Sequence, residues 1–407
     1  MRIRDATTTA LVSVVIVLVA AAPAAGRKPV PKDLPEPIRQ ALEAIQTTAD
    51  DPGPAAARGR PADTAAMIRD SAVARLARMG AKATPAIPFL AGMLEKDHVW
   101  QLVMNRARIR TPSISAARAL GGIAAAAGAE HLAPVFKHDN WVVRANLVYV
   151  LTGVKTPAAI NLLGATVGGD REVRVRVMAA RALGRLADKA AVKILIAALK
   201  DPDPLVRKAA AYSLSIAKEM GNWQIHLVVK ALTPLAADKD QGVRQYVAMA
   251  FREIGSSNAQ RPLRTLLKDP DAAVRYYAAD ALGVIKDRRA VTALIAALEA
   301  EKDPKAMVQL GLVRALGATG DPRATTPLIG CLKHPHEYVR RDAAGALGLI
   351  GDRRAVPALI GALNDQKLSV RDSTAAALGL IGDVRALDPL IATLARHKSS
   401  AAAVALG

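Results

Sequence analysis

The sequence predicts an all-α protein: an α-α superhelix, or solenoid, of about ten helical hairpins followed by a C-terminal half repeat. Three observations point to it. A phrase written most fully at residues 339–363 recurs along nearly the whole chain, and such a period is typical of repeat architectures. Small and apolar residues in each copy fall at helical spacing. Gly351 and Asp352 stand where one helix should end and the next begin.

Each copy is defined here by its lead residue, eight positions before the Leu of an Ala-Leu-Gly element or its equivalent. Most lead residues lie about 31 residues apart, and longer steps indicate insertions. Two apolar helical stripes per copy predict a helical hairpin, which must stack on its neighbours to bury its core. The lead residues are Ile68, Pro112, Val143, Val175, Val206, Val243, Val274, Val308, Val339 and Val370.

In six copies an Asp lies six residues before an Arg that opens the second helix. The Asp should lie in the turn within the hairpin and the Arg one helical turn further on, so that each Arg reaches the Asp of its own or a neighbouring repeat. We predict a partly buried ladder that fixes the register of stacking. The pairs are Asp63 and Arg69, Asp170 and Arg176, Asp201 and Arg207, Asp238 and Arg244, Asp269 and Arg275, and Asp365 and Arg371.

The phrase Asp-x-x-x-x-Val-Arg-x-x-Ala-Ala-x-Ala-Leu-Gly resembles the HEAT repeat, in the bacterial variety known as PBS-lyase HEAT-like repeats. The resemblance covers about residues 35–396 and implies the HEAT or armadillo-like solenoid fold. It specifies function weakly, because such arrays serve as scaffolds, adaptors and enzymes.

Two enzyme classes remain alternatives through this resemblance. Deoxyhypusine hydroxylase is a metal-dependent oxidoreductase that places His-Glu pairs directly after the Val-Arg phrase. The equivalent positions here, such as Lys208-Ala209 and Tyr276-Tyr277, are not His-Glu. Bilin lyases share the repeats, but they attach chromophores in the cytoplasm. We therefore expect no enzyme activity, no catalytic residues and no cofactor.

The N-terminus predicts export. Residues 1–25 carry Arg2 and Arg4, an apolar run at 11–20 and small residues at the cleavage position, as in a secretory signal peptide. We expect a periplasmic or secreted protein, with tethering by an uncleaved signal anchor as the alternative. A linker at 26–34 and the solenoid at 35–407 complete the domain organisation.

The chain is strongly basic, with a formal net charge of +20 at pH 7. Loss of residues 1–25 would lower that charge by only one. An exported basic protein meets acidic proteins and anionic envelope surfaces more readily than nucleic acid. We expect a protein partner of acidic character, with binding to a polyanion or a membrane surface as an alternative.

Candidate metal and thiol sites are weak. His334, His336 and Glu337 form one cluster of metal-ligand types, but Pro335 separates the two His in a short turn, and we predict no metal site. The single Cys331 has no basic neighbour at activating spacing and is predicted to be buried and inert.

The surface left for function is the face of the second helices. In HEAT arrays these helices line the concave side, and the variable positions three and six residues after the lead residue should point outward. Tyr, Arg and Met there have the composition of interface hot spots, although the rings could equally fill gaps between helices. The predicted binding surface comprises Tyr149, Arg181, Tyr212, Tyr246, Met249, Tyr277 and Arg314.

Overall fold

A computed structural model describes residues 29–46, 61–95, 112–215, 222–302, 306–397 and 400–406. The predicted signal peptide and most of the segments assigned to insertions, at 50–61, 96–112 and 218–223, lie outside these ranges. Every regular element in the described ranges is a helix and none is a strand, so the predicted all-α solenoid is confirmed. No described helix is both long and apolar enough to span a bilayer.

The hairpins follow one another along the whole described chain. The second helices are α2, α4 and the odd-numbered helices from α5 to α21. The remaining helices are first helices, and several of them begin with a short 3₁₀ turn. The α-helices are α1 (Glu36–Gln46), α2 (Pro61–Met79), α3 (Ile87–Gly92), α4 (Pro112–Ala127), α5 (Trp141–Leu151), α6 (Pro157–Gly169), α7 (Val173–Leu186), α8 (Lys189–Ala198), α9 (Pro204–Leu214), α10 (Asn222–Leu232), α11 (Gln241–Ile254), α12 (Gln260–Leu266), α13 (Ala272–Ile285), α14 (Val291–Ala300), α15 (Met307–Thr319), α16 (Thr325–Cys331), α17 (Glu337–Ile350), α18 (Val356–Ala362), α19 (Leu368–Ile381), α20 (Leu387–His397) and α21 (Ser400–Leu406).

Local capping sets the helix boundaries. Asp240 accepts a hydrogen bond from the backbone N–H of Val243 at 2.9 Å, and Asp271 does the same for Val274 at 3.0 Å, so each closes the first turn of its second helix. At the other end, Gly351 adopts a left-handed conformation with φ +73 and stops α17. These caps fix where α11 and α13 begin and where α17 ends.

Successive second helices approach closely because small residues face one another. A Cβ added to Gly317 on α15 would lie 2.6 Å from the Cβ of Ala346 on α17, and one added to Gly348 would lie 2.8 Å from the Cα of Ala377 on α19. First helices pack on each other less intimately. The second helices therefore form the inner side of the superhelix.

Candidate interaction surface

Six arginines at the start of second helices each bridge two successive turns. Arg207 is representative: its Nε and Nη2 donate to the carboxylate of Asp238 in the next hairpin, both at 2.8 Å, and its Nη1 donates to the backbone carbonyl of Asp201 at 2.9 Å. The pair is almost fully buried. The other five bridges join Arg144 to Asp170, Arg176 to Asp201, Arg244 to Asp269, Arg275 to Glu301 and Arg340 to Asp365.

The direction of pairing is the informative detail. Each guanidinium binds a backbone carbonyl in its own turn and the carboxylate in the turn of the following repeat. The Arg therefore contacts the residue six positions earlier only through that residue's backbone. Asp201 also accepts from the backbone N–H of Asp203 at 2.8 Å, which closes its own turn. The carboxylate of Asp201 therefore closes its own turn and also binds Arg176 of the preceding repeat.

Some members of the ladder depart from the sequence rule. Arg144 and Arg340 belong to it although His138 and His334 stand six residues before them; each of these His accepts a backbone N–H through Nδ1 at 3.1 Å, as the Asp does elsewhere. Burial lowers the pKa of His334. A search for Val-Arg alone, without the Asp, would have found both arginines.

The two ends of the ladder are different again. Arg69 is buried on α2, and the side chain of Asp63 lies outside the described residues. Arg371 donates from Nη1 to the carbonyls of Asp365 and Gln366 at 2.8 and 3.2 Å, while its buried Nε has no hydrogen-bond partner in the described chain. Arg371 therefore makes only the half of the bridge that lies within its own repeat.

Pairing keeps the ladder charged. The hydrogen bonds from Arg340 lower the pKa of Asp365 below its ordinary value, and the same bonds raise the pKa of Arg340. These buried bidentate contacts connect neighbouring hairpins and leave the arginines unavailable to external ligands.

A second set of inter-repeat bonds lies at the other end of the hairpins and was not anticipated. In four successive first helices an Asp caps the opening 3₁₀ turn and pairs with the Arg two residues later. In three of these pairs the Arg also reaches back one repeat: Arg323 donates to the carbonyl of Arg288 at 2.9 Å, Arg354 to that of Pro322 at 3.1 Å, and Arg385 to that of Arg353 at 3.2 Å. The pairs are Asp287 and Arg289, Asp321 and Arg323, Asp352 and Arg354, and Asp383 and Arg385.

The inner face is defined here as the positions one residue before and three, six and ten residues after each lead residue, which point away from the first helices. Most of the large apolar side chains that remain exposed in the described chain occupy these positions. They are Met67, Leu205, Tyr212, Val284, Met307, Tyr338, Leu349 and Leu380. Repetition of the register places these side chains on the same side of the solenoid.

The predicted binding residues fall on this face with unequal exposure. Tyr212 is 51% exposed, and Arg181 and Arg314 are also exposed. The other four are half-buried: Tyr149, Tyr246 and Tyr277, which pack against the core, and Met249. The rings therefore play both of the roles considered for them, since some fill gaps between helices and Tyr212 projects outward.

Aromatic and charged groups on or beside the inner face are paired, two of the pairs across repeats and one within α17. Tyr212 and Tyr246 pack edge to face with ring centres 6.2 Å apart. Arg314 on α15 donates to the carboxylate of Asp342 on α17 at 2.6 Å, and Arg341 covers the ring of Tyr338 at 4.9 Å. The inner face thus combines apolar, aromatic and charged side chains.

Polar chemistry elsewhere is sparse. No three His, Cys, Asp or Glu side chains in the described ranges are grouped so as to hold a metal ion. Cys331 is a half-buried thiol, and burial raises its pKa to about 11. It is thus an unreactive thiol at neutral pH.

Comparison with known proteins identifies the family. A family model described as HEAT repeats matches residues 166–222, 229–305, 261–344 and 326–407. The chain is a HEAT-repeat protein. The predicted resemblance to HEAT repeats is therefore confirmed. No curated protein sequence matches the chain.

The chain is similar to several solved structures. Importin beta is 14% identical with a TM-score of 0.53 over 91% of this chain and 54% of its own length. The CpcE and CpcF complex of phycocyanin lyase from Nostoc sp. PCC7120 is 24% identical, with a TM-score of 0.37 over 53% of this chain and 92% of that one. Human deoxyhypusine hydroxylase is 22% identical, with a TM-score of 0.28 over 66% of this chain and 96% of that one. At 14% identity, the similarity to importin beta shows the fold alone.

Proposed function

We propose that this HEAT-repeat protein is an exported, non-enzymatic scaffold that binds a protein partner along its inner face. The observation that carries the proposal is the alignment of exposed large apolar side chains on that face. Soluble proteins rarely expose contiguous apolar surface unless it serves contact. Tyr212, Tyr338 and Leu349 would supply the apolar contacts, and Arg181 and Arg314 the polar ones.

The arginines of the chain fall into a buried group and an exposed group, and this difference supports the proposal. Those of the ladder are buried and bound within the stack, so they hold the shape of the solenoid. Those of the inner face are exposed, as Arg181 is, and Arg can combine apolar packing with hydrogen bonding at an interface. Export rests on the N-terminal sequence and forms part of the proposal.

Site-specific photo-crosslinking tests the inner face. A photoreactive residue at position 212 or 349 should capture one discrete partner in the envelope fraction of the native cells, whereas a photoreactive residue at the exposed position 333, on the outer side, should not. Tyr212→Ser and Leu349→Ser should each weaken capture while circular dichroism stays unchanged. Equal capture from position 333, or undiminished capture by both variants, would contradict the proposal.

The metal-dependent enzyme alternative has its own signature. Iron at one or two equivalents per chain in the purified protein, lost together with an oxidative activity on chelation, would replace the scaffold proposal with that alternative. Fractionation into periplasm, medium and membrane would test export separately.

A further inference from the structure

Three neighbouring first helices near the middle of the chain carry basic side chains without acidic ones. The first helices α8, α10 and α12, with the residues that directly follow α8 and α12, contain seven basic residues and no Asp or Glu over 189–200, 222–232 and 260–268. All seven are exposed and none forms an ion pair with a described residue. We call this set the outer basic surface: Lys189, Lys193, Lys200, Lys230, Arg261, Arg264 and Lys268.

A groove opens at one end of this surface, between α12 and α14. It has a volume of about 820 Å³, and one wall consists of small side chains at 293, 296, 297 and 300, all alanine. Arg264 and Lys268 line one rim, and Arg289 and Lys302 also line the groove. Its two carboxylates, Asp269 and Glu301, are bound by Arg244 and Arg275 of the ladder. The groove thus has an apolar wall between basic groups, and its volume lies in the range of ligand-binding clefts.

We infer that the outer basic surface binds an acidic peptide segment of a partner protein, with small apolar side chains of that segment seated in the alanine-walled groove. Three adjacent first helices at ordinary packing distance extend over about 20 Å, which a helix of about 14 residues would cross. Unpaired cations attract such a segment, and the groove accepts its apolar face.

Other anions fit the same surface less well. α8 and α12, which with the residues directly after them carry six of the seven basic residues, contain no aromatic residue, and α10 contains only Trp223, so the surface offers bases no row of stacking rings. None of the exposed large apolar side chains in the described ranges lies on α8, α10 or α12, so these residues provide no anchor for insertion into a bilayer. A concave groove also has no counterpart on a flat membrane surface.

The inference is independent of binding on the inner face and can be tested with synthetic probes. The main probe is a fluorescein-labelled, 18-residue helical peptide with Glu on one face and Ala and Leu on the other, titrated with the full chain and followed by fluorescence anisotropy. Oligoglutamate, vesicles with one fifth anionic lipid, and a short DNA duplex serve as comparison probes. Thermal melting checks that each variant is folded.

Two variants separate charge from groove. Arg264→Gln with Lys268→Gln should weaken peptide binding at least tenfold, and Ala296→Trp, which fills the groove, should weaken it severalfold without changing the charge. The matched control, Lys155→Gln with Lys333→Gln, removes two exposed charges elsewhere and should change the Kd less than twofold. Tyr212→Ser on the inner face should leave peptide binding unchanged.

Three results would overturn the inference. One is equal loss of affinity in the rim and control variants, which indicates a diffuse charge effect. Another is an unchanged peptide Kd in Ala296→Trp, which shows that the groove is not used. The last is tighter binding of DNA or vesicles than of the peptide, which assigns the surface to a different class of partner. None of these bears on partner capture through positions 212 and 349.

Discussion

Arg244 and Asp269 join the second helix of one hairpin to the turn of the next through two hydrogen bonds of 2.6 and 3.0 Å, and only 14% and 5% of their side chains are exposed. The same carboxylate accepts the backbone N–H of Asp271 at 2.9 Å. A single side chain therefore fixes both the local turn and the spacing between two repeats.

Asp269→Ala should destabilise the protein by about 1 to 3 kcal/mol, because it leaves the guanidinium of Arg244 buried without its acceptor. Asp139→Ala is the matched control, since the side chain of Asp139 is fully exposed and pairs only at the surface with Arg171; its effect should stay below about 0.5 kcal/mol. Urea denaturation measures both. Equal midpoints for the two variants would show that the bridge contributes nothing.

Arg340 and Arg371 allow the two halves of a bridge to be compared. Arg340→Met removes the contact to Asp365 and leaves that carboxylate without its partner, so we expect a loss of about 1 to 3 kcal/mol. Arg371→Met removes only bonds to backbone carbonyls of its own turn and should cost about 1 kcal/mol or less. If chemical denaturation gives the reverse order, the carboxylate half is not the stabilising one.

Gly317→Ala tests the close approach of the second helices. Alanine favours a helix by about 1 kcal/mol over glycine, yet the new Cβ would lie 2.6 Å from that of Ala346. The cost of overpacking should exceed the gain in helix propensity, so we expect a net destabilisation of about 1 to 2 kcal/mol. Gly361→Ala, whose Cβ would have no neighbour within 4 Å, should instead be neutral or stabilising. If the melting temperatures of the two variants change by the same amount and in the same direction, close packing at Gly317 is not the cause.

The stability of the outer Asp-x-Arg pairs should depend on pH. Hydrogen bonding from Arg354 lowers the pKa of Asp352 from 3.8 to about 2. A carboxyl with a lowered pKa in the folded state stabilises fully above its unfolded pKa and loses that contribution as pH falls towards about 2. The melting temperature of Arg354→Gln should therefore lie below wild type at about pH 5 and approach it at about pH 2.

Arg396→Gln is the control for that experiment, because Arg396 bonds the neutral amide of Asn364. Its difference from wild type should not change over the same pH interval. Because the Arg354 side chain is 65% exposed, high salt should reduce the pH-dependent part of the Arg354→Gln effect. If the difference in melting temperature between Arg354→Gln and wild type does not change with pH, the ion pair of Arg354 with Asp352 does not contribute to stability.

Cys331 should react slowly with thiol reagents in the folded protein. Its raised pKa of about 11 leaves almost no thiolate at pH 8, and half-burial limits access. Titration with a chromogenic disulfide should give one slow thiol in buffer and one fast thiol in denaturant. Fast labelling of the native protein would place Cys331 in a different environment.

The sequence predicted the fold well because hairpin boundaries depend on local chemistry. The Gly351 and Asp352 punctuation, for example, acts within a few residues. The ladder partners were harder to assign, since spacing alone could not tell whether Arg207 meets Asp201 or Asp238. The exposure of Tyr212 beside the half-buried Tyr246 depends on packing between repeats, which periodicity does not resolve.

The bridges have a mechanical consequence. Each one joins a hairpin only to its immediate neighbour, so tension along the superhelix passes in series from one junction between hairpins to the next. A stretched chain should give way one hairpin at a time, starting where a bridge is incomplete, as at Arg371 near the C-terminal end.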